Sequence, residues 1–162
     1  MTSGPTAYLD TCIISALVKN DVDAVEQRAL DDLIARYDRG EATFICSEVV
    51  DSELAKIPEN YKGPHLKMLA LFRSVPRALV GGVTRMSLMG TPTANPRHQK
   101  WQRLIGILPD EEDAWHVFVA SENGIKYLVT VDQRTMLSRA DTVLRASGVQ
   151  LVRPSEFLRV FS

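Results

Sequence analysis

The chain has 162 residues, of which 45% are hydrophobic and 24% charged, and its formal net charge at pH 7 is −1. This length and composition suit one globular domain with its own core, so we expect a single domain over residues 1–162. No apolar run approaches the ~20 residues of a membrane-spanning helix, and the first residues lack a signal-type segment. Neither Cys12 nor Cys46 has metal-ligand spacing, so we expect free thiols in a cytoplasmic protein.

Strand and helix patterns alternate along the first sixty residues. A predicted strand at about 6–10 leads into a helical start at 11–17, and a helix with apolar residues at helical spacing covers about 21–38. A second strand at 42–46 precedes a helix at about 47–57, which Pro58 ends.

The middle of the chain is strongly basic. Residues 60–109 carry 8 Lys or Arg and no Asp or Glu, whereas residues 1–59 carry 5 and 12. Within this insertion-like segment we predict a helix at about 65–78, a loop at 81–98 and a short helix at about 97–107. We expect Arg97, Lys100 and Arg103 to hold a polyanionic substrate; Trp101 could stack a base, although packing is its commoner role. A protein partner or an ordinary solvated face would also explain the charge.

The last third again alternates helix and strand. A helix from Pro109 to about Gly124 is followed by a strand at 127–131, a helix at 133–147, a strand at 149–152 and a helix beginning at Pro154. Strands that alternate with helices predict the α/β class, with a mainly parallel central sheet between two layers of helices.

Three acidic residues lie where predicted strands and helices meet. Asp10 and Asp132 each follow a strand, and Asp113 begins the apolar part of a helix. The carboxyl ends of parallel strands share one edge of a sheet, where binding sites form. Carboxylates gathered there repel each other unless a divalent cation neutralises them.

Glu53 is the fourth candidate. At about 100° per residue it falls within about 60° of Val50, on the apolar stripe of its helix, whereas Glu48 and Asp51 fall on the polar side. A carboxylate on a buried face needs a partner or a cation. A buried ion pair with Lys or Arg is the structural alternative for Glu53.

The other candidates also have structural explanations. Asp10 and Asp132 could cap helices, and Asp113 lies in an acidic first turn that stabilises its helix. His116, one turn after Asp113, could face the site, but a satisfied core histidine is the commoner case. The hydroxyls bordering the acids could orient water or simply serve turns; they belong to Thr11, Ser47 and Thr130.

These segments resemble the PIN domain, the nuclease fold of VapC-type toxins. Tyr8-Leu9-Asp10-Thr11 is similar to the family's opening strand and first acid, and residues 47–54 resemble its second motif with Glu53 as the acid. Residues 113–120 and 128–132 resemble its third and fourth motifs, and 149–157 its last strand and helix. Nothing in about 60–105 matches.

The resemblance implies a three-layer α/β/α fold and a Mg²⁺- or Mn²⁺-dependent endoribonuclease, with a homodimer and a cognate antitoxin as partners. Asp10, Glu53, Asp113 and Asp132 would be both the metal ligands and the catalytic residues for hydrolysis of RNA. The same fold serves RNA processing and decay. A non-catalytic RNA- or protein-binding module is the other alternative.

Overall fold

The computed structural model describes residues 4–63, 65–81, 85–88 and 95–162. The strands are β1 (Thr6–Leu9), β2 (Thr43–Ile45), β3 (Tyr127–Val129) and β4 (Gln150–Val152). The α-helices are α1 (Cys12–Lys19), α2 (Ala24–Asp38), α3 (Val49–Ala55), α4 (Glu59–Lys62), α5 (Leu66–Ser74), α6 (Arg85–Leu88), α7 (Pro96–Ile107), α8 (Glu111–Glu122), α9 (Ala140–Ser147) and α10 (Pro154–Leu158). Short 3₁₀ helices cover Leu137–Arg139 and Arg159–Phe161.

The four strands form an all-parallel sheet in the order β2-β1-β3-β4. The α/β class and the parallel sheet are therefore confirmed. In β1, Tyr8 is opposite Ile45 on one side and Leu128 on the other. This register places the last residues of β1 and β3 side by side, with Leu9 paired to Val129.

Two hydrophobic clusters cover the two faces of the sheet. Successive residues of β1 point in opposite directions, and Ala7 and Leu9 join the cluster formed with α2, α5 and α10. Tyr8 joins the other cluster, formed with α7, α8 and α9. The sheet is thus covered by helices on both sides, consistent with the predicted three layers.

Two predicted helices differ from the structure. The helix expected at 65–78 ends at Ser74, because Val75 precedes Pro76 and a residue before proline disfavours the helical conformation. The chain then forms a single parallel bridge between Arg77 and Cys46. The helix expected at 133–147 starts only at Ala140, after a turn and a 3₁₀ segment.

Three other predictions concern thiols, membranes and the middle of the chain. Cys12 and Cys46 are free thiols, as expected. Within the described ranges, no helix combines the length and apolar character needed to cross a bilayer. Part of the loop predicted at 81–98 lies outside the described residues. Residues 85–88 within it are helical, and α7 begins at Pro96.

Candidate active site

The ends of β1 and β3 bring two of the predicted acids to one edge of the sheet. The backbone N–H of Asp10 donates to the Val129 carbonyl at 3.1 Å, which extends the ladder one residue beyond the strand. The Thr130 hydroxyl then donates to Asp10 Oδ2 at 2.9 Å and accepts the backbone N–H of Asp132 at 3.1 Å. One threonine therefore connects Asp10 to the backbone of Asp132.

A second threonine brings in Asp113 from α8. The Thr135 hydroxyl donates to Asp132 Oδ2 in a short hydrogen bond and lies 3.2 Å from Asp113 Oδ2. The Thr135 backbone N–H also donates to Asp132 Oδ1 at 2.9 Å. Asp10, Asp132 and Asp113 are thus linked in sequence through Thr130 and Thr135, although they are far apart in the chain.

The pKa of Asp113 reflects both its burial and the acids around it. Burial and the negative charges of Asp10, Asp110 and Asp132 raise its pKa from 3.8 to about 7, against the lowering effect of the Thr135 hydroxyl. Asp113 is therefore partly protonated near neutral pH. The single hydroxyl hydrogen of Thr135 can be donated to Asp113 or to Asp132, so the two carboxyl groups compete for one donor.

In the described part of the chain, the three acids have no Lys or Arg partner. Within the described residues, Asp10, Asp113 and Asp132 make no ion pair with either residue type. Asp10 is only 1% exposed, and His116 Nε2 lies 3.6 Å from its Oδ1. The cluster therefore retains excess negative charge.

The structural explanations offered for two of these acids also hold in part. Asp10 Oδ1 accepts the backbone N–H of Cys12 at 3.3 Å, and Asp132 holds the turn that contains Thr135. Asp110 is the N-cap of α8 and accepts the N–H groups of Glu112 and Asp113. Capping and a ligand-binding role use different lone pairs of the same carboxylates, so they are compatible.

Glu53 is placed differently from the other three acids. Its Oε1 lies 3.3 Å from Lys56 Nζ, and its side chain is 23% exposed. This is the ion pair given above as the alternative, although it is not buried, because the Lys56 side chain is 68% exposed. The charge of Glu48, in contrast, acts on both Tyr8 and His116 beside Asp10. Glu48 is therefore the acid of this segment that the structure relates to the site.

No assembled metal site is visible in the described part of the chain. There, no group of three or more His, Cys, Asp or Glu side chains is arranged to hold a metal ion. The acids approach one another in pairs, through threonine hydroxyls. Their donor set consists of carboxylate and hydroxyl oxygens, which suits hard cations such as Mg²⁺ and Mn²⁺.

His116 is a buried core histidine, the commoner of the two cases given above, and it also contacts the site. It is 1% exposed. Its Nδ1 lies 2.6 Å from Tyr8 Oη and its Nε2 3.1 Å from Thr11 Oγ1. Burial lowers the pKa of His116 and raises that of Tyr8 well above its usual range, so both side chains are neutral.

Two of the three basic residues expected to hold substrate lie at the far end of α8 from Asp113. Arg97 and Lys100 each approach Glu122 at 3.4 Å, and Arg103 is exposed. Glu122 ends α8, nine residues after Asp113, which corresponds to roughly 14 Å along the helix axis at 1.5 Å per residue. The structure therefore does not support contact of Arg97 and Lys100 with substrate at the acid cluster. The expected role of Arg103 in holding substrate stays a prediction.

Trp101 is also unavailable to a substrate. It is 1% exposed and packs edge-on against Trp115 and Phe118. Two residues at the site did not emerge from the sequence. Thr135 follows Asp132 by three residues, a spacing typical of a side chain that closes a turn, and Tyr8 precedes Asp10 by two, which puts both on one face of the strand.

Comparison with known proteins does not assign the chain to a family. The chain matches no protein-family model, and no curated protein shows significant sequence similarity to it.

Proposed function

We propose that this protein is a PIN-type, divalent-cation-dependent endoribonuclease that hydrolyses RNA phosphodiester bonds. The observation that carries the proposal is the group formed by Asp10, Asp113 and Asp132. It lies at the carboxyl edge of a parallel sheet, where such folds bind ligands. Burial, together with the negative charges of the neighbouring acids, raises the pKa of Asp113 to about 7. Excess negative charge favours the binding of a cation at this site. A bound metal ion would in turn attract an anionic substrate such as RNA.

The residues fit Mg²⁺ or Mn²⁺. The three acids offer only carboxylate oxygens, and a cation would relieve the repulsion that, together with burial, raises the Asp113 pKa. We propose Asp10, Asp113 and Asp132 as its ligands. Glu53 would complete the set by analogy with the PIN domain, and Glu48 is its competitor from the same segment. When bound, the cation would polarise the phosphoryl group, lower the pKa of water and offset charge on the leaving oxygen.

The protein's own part in this chemistry is to hold the carboxylates ready. Thr130 fixes Oδ2 of Asp10, and Thr135 fixes Oδ2 of Asp132. Because Asp10 is 1% exposed, little water competes for its carboxylate oxygens. These anchors restrict the carboxylates before any cation binds, which lowers the entropy cost of binding.

We further propose that the protein is the toxin of a type II pair, a homodimer neutralised by an antitoxin. This part rests on the resemblance to VapC-type toxins. A nuclease of RNA processing or decay would have the same site. The non-catalytic RNA- or protein-binding module is favoured by one observation, the lack of a ready-made metal group among the described residues.

Cleavage assays on purified protein separate these functions. Native protein with Mn²⁺ is expected to cut single-stranded RNA, and EDTA is expected to stop it. Asp10→Asn should abolish cleavage while the melting temperature shows that the fold persists. Asp141→Asn, an exposed acid on α9, is the matched control and should cleave normally. Metal-dependent cleavage by the Asp10→Asn protein at the native rate would refute the proposal.

A further inference from the structure

One buried side chain at the site has no part in the chemistry proposed above. The His116 ring lies between β1 and α8 and is 1% exposed. It contacts three polar side chains of one short segment: Tyr8 Oη at 2.6 Å, Thr11 Oγ1 at 3.1 Å and Asp10 Oδ1 at 3.6 Å. A buried imidazole with a hydrogen-bond partner at each ring nitrogen is held in place, and it holds the side chains of those partners in place as well.

The geometry connects the two elements that carry the acids. Tyr8 and Asp10 alternate with Leu9, so they lie on the same face of the chain as it leaves β1. Asp113 and His116 are three residues apart on α8, and residues at this spacing are neighbours on a helix surface. The imidazole therefore bridges the element of Asp10 to the element of Asp113.

The direction of the hydrogen bonds follows from the carboxylate. A neutral imidazole has one N–H and one acceptor nitrogen. Nε2 lies near the Asp10 carboxylate, which repels a nitrogen lone pair and attracts an N–H, so Nε2 carries the hydrogen and donates to Thr11. Nδ1 then accepts the hydroxyl hydrogen of Tyr8.

We propose that His116 is a positioning residue, which through its Nε2–H group holds Thr11 and the Asp10 carboxylate in place for cation binding. The inference rests on the proposed function. It assigns the effect to one nitrogen of the ring: Nε2 faces the site, whereas Nδ1 only anchors the ring to Tyr8. Partners that orient metal ligands in this way typically change metal affinity or activity by about 10–100-fold when removed.

Two amide variants test which nitrogen matters. Gln places an amide group near the position of Nε2, and Asn places one near Nδ1, while both remove the ring. Mn²⁺ affinity measured by calorimetry without RNA should therefore fall about tenfold or more in His116→Asn and stay close to native in His116→Gln. Phe118→Leu, on the same helix and fully buried, is the control for loosened packing and should bind Mn²⁺ normally.

The outcomes are distinct. Equal affinities in the Asn and Gln variants, whether native-like or weakened, would overturn the positioning role, as would a matching loss in Phe118→Leu. If the His116 variants do not fold, two other variants separate the two nitrogens. Thr11→Val removes the hydroxyl that Nε2–H holds and should weaken Mn²⁺ binding, whereas Tyr8→Phe removes only the partner of Nδ1 and should leave Mn²⁺ binding close to native. Equal affinities in these two variants would overturn the role. Absence of Mn²⁺ binding by the native protein would instead overturn the proposed function itself.

Discussion

Asp113→Asn should stabilise the protein above neutral pH while abolishing its activity. The folded state binds the Asp113 proton more tightly than the unfolded chain does, because its pKa is raised from 3.8 to about 7. Stability therefore falls as the pH rises from about 4 to 7 and stays lower above that range. Asn carries no charge at any of these pH values, so the variant escapes this loss.

The size of the effect follows from the pKa. Each pKa unit corresponds to about 1.36 kcal/mol, so the full difference would be about 4 kcal/mol. Because Asp113 is only partly buried, solvent screens the repulsion, and we expect about 1–2 kcal/mol. For a domain of this length, that raises the melting temperature by about 2–8 °C.

Thermal unfolding of both proteins at pH 5 and pH 8, with EDTA present, measures this difference. The variant should melt higher than native at pH 8, and the gap should narrow strongly at pH 5, where native Asp113 is protonated. Mn²⁺ should stabilise the native protein at pH 8 more than the variant. A gap that is the same at both pH values, or a variant less stable at pH 8, would refute the electrostatic reasoning.

Three further predictions concern other parts of the molecule. Glu26 is 7% exposed and accepts both the backbone N–H and the hydroxyl of Ser155, so Glu26→Ala should cost about 1–3 kcal/mol in urea unfolding, and Glu26→Gln less. Replacing both Arg97 and Lys100 by Ala should leave RNA affinity unchanged. If the slope of RNA affinity against salt concentration instead fell by the equivalent of about two phosphate contacts, the two residues would be shown to bind RNA. Trp101→Ala should destabilise the fold by about 3–5 kcal/mol in the same urea assay, and a loss below about 1 kcal/mol would contradict its packing role.

Much of the fold was predictable because its strands are short apolar runs between clear helical patterns. The two boundary errors have local causes. The helix after residue 65 ends early because of Pro76, whose effect reaches back to Val75. The segment after Asp132 is a turn rather than a helix because the Asp132 carboxylate and Thr135 bond to each other, which offers the backbone an alternative to helix.

The site was predictable only where sheet topology determines it. Asp10 and Asp132 meet because parallel strands end at one edge, a rule that needs no side-chain detail. A helical wheel placed Glu53 on the apolar stripe of its helix, but it could not show which side chains surround the carboxylate. In the structure Glu53 forms an ion pair with Lys56. Charge counting found the basic segment, yet it could not show that Arg97 and Lys100 lie at the far end of α8, since that depends on how α7 packs.

Calorimetric titration of the native protein with Mn²⁺, repeated on Asp10→Asn, tests the central claim most directly. The claim is that Asp10, Asp113 and Asp132 form one cation site. Native protein should bind Mn²⁺ and release protons at pH 7, because the cation displaces the proton of Asp113. Asp10→Asn should bind much more weakly. No binding by the native protein, or equal binding by both, would contradict the account.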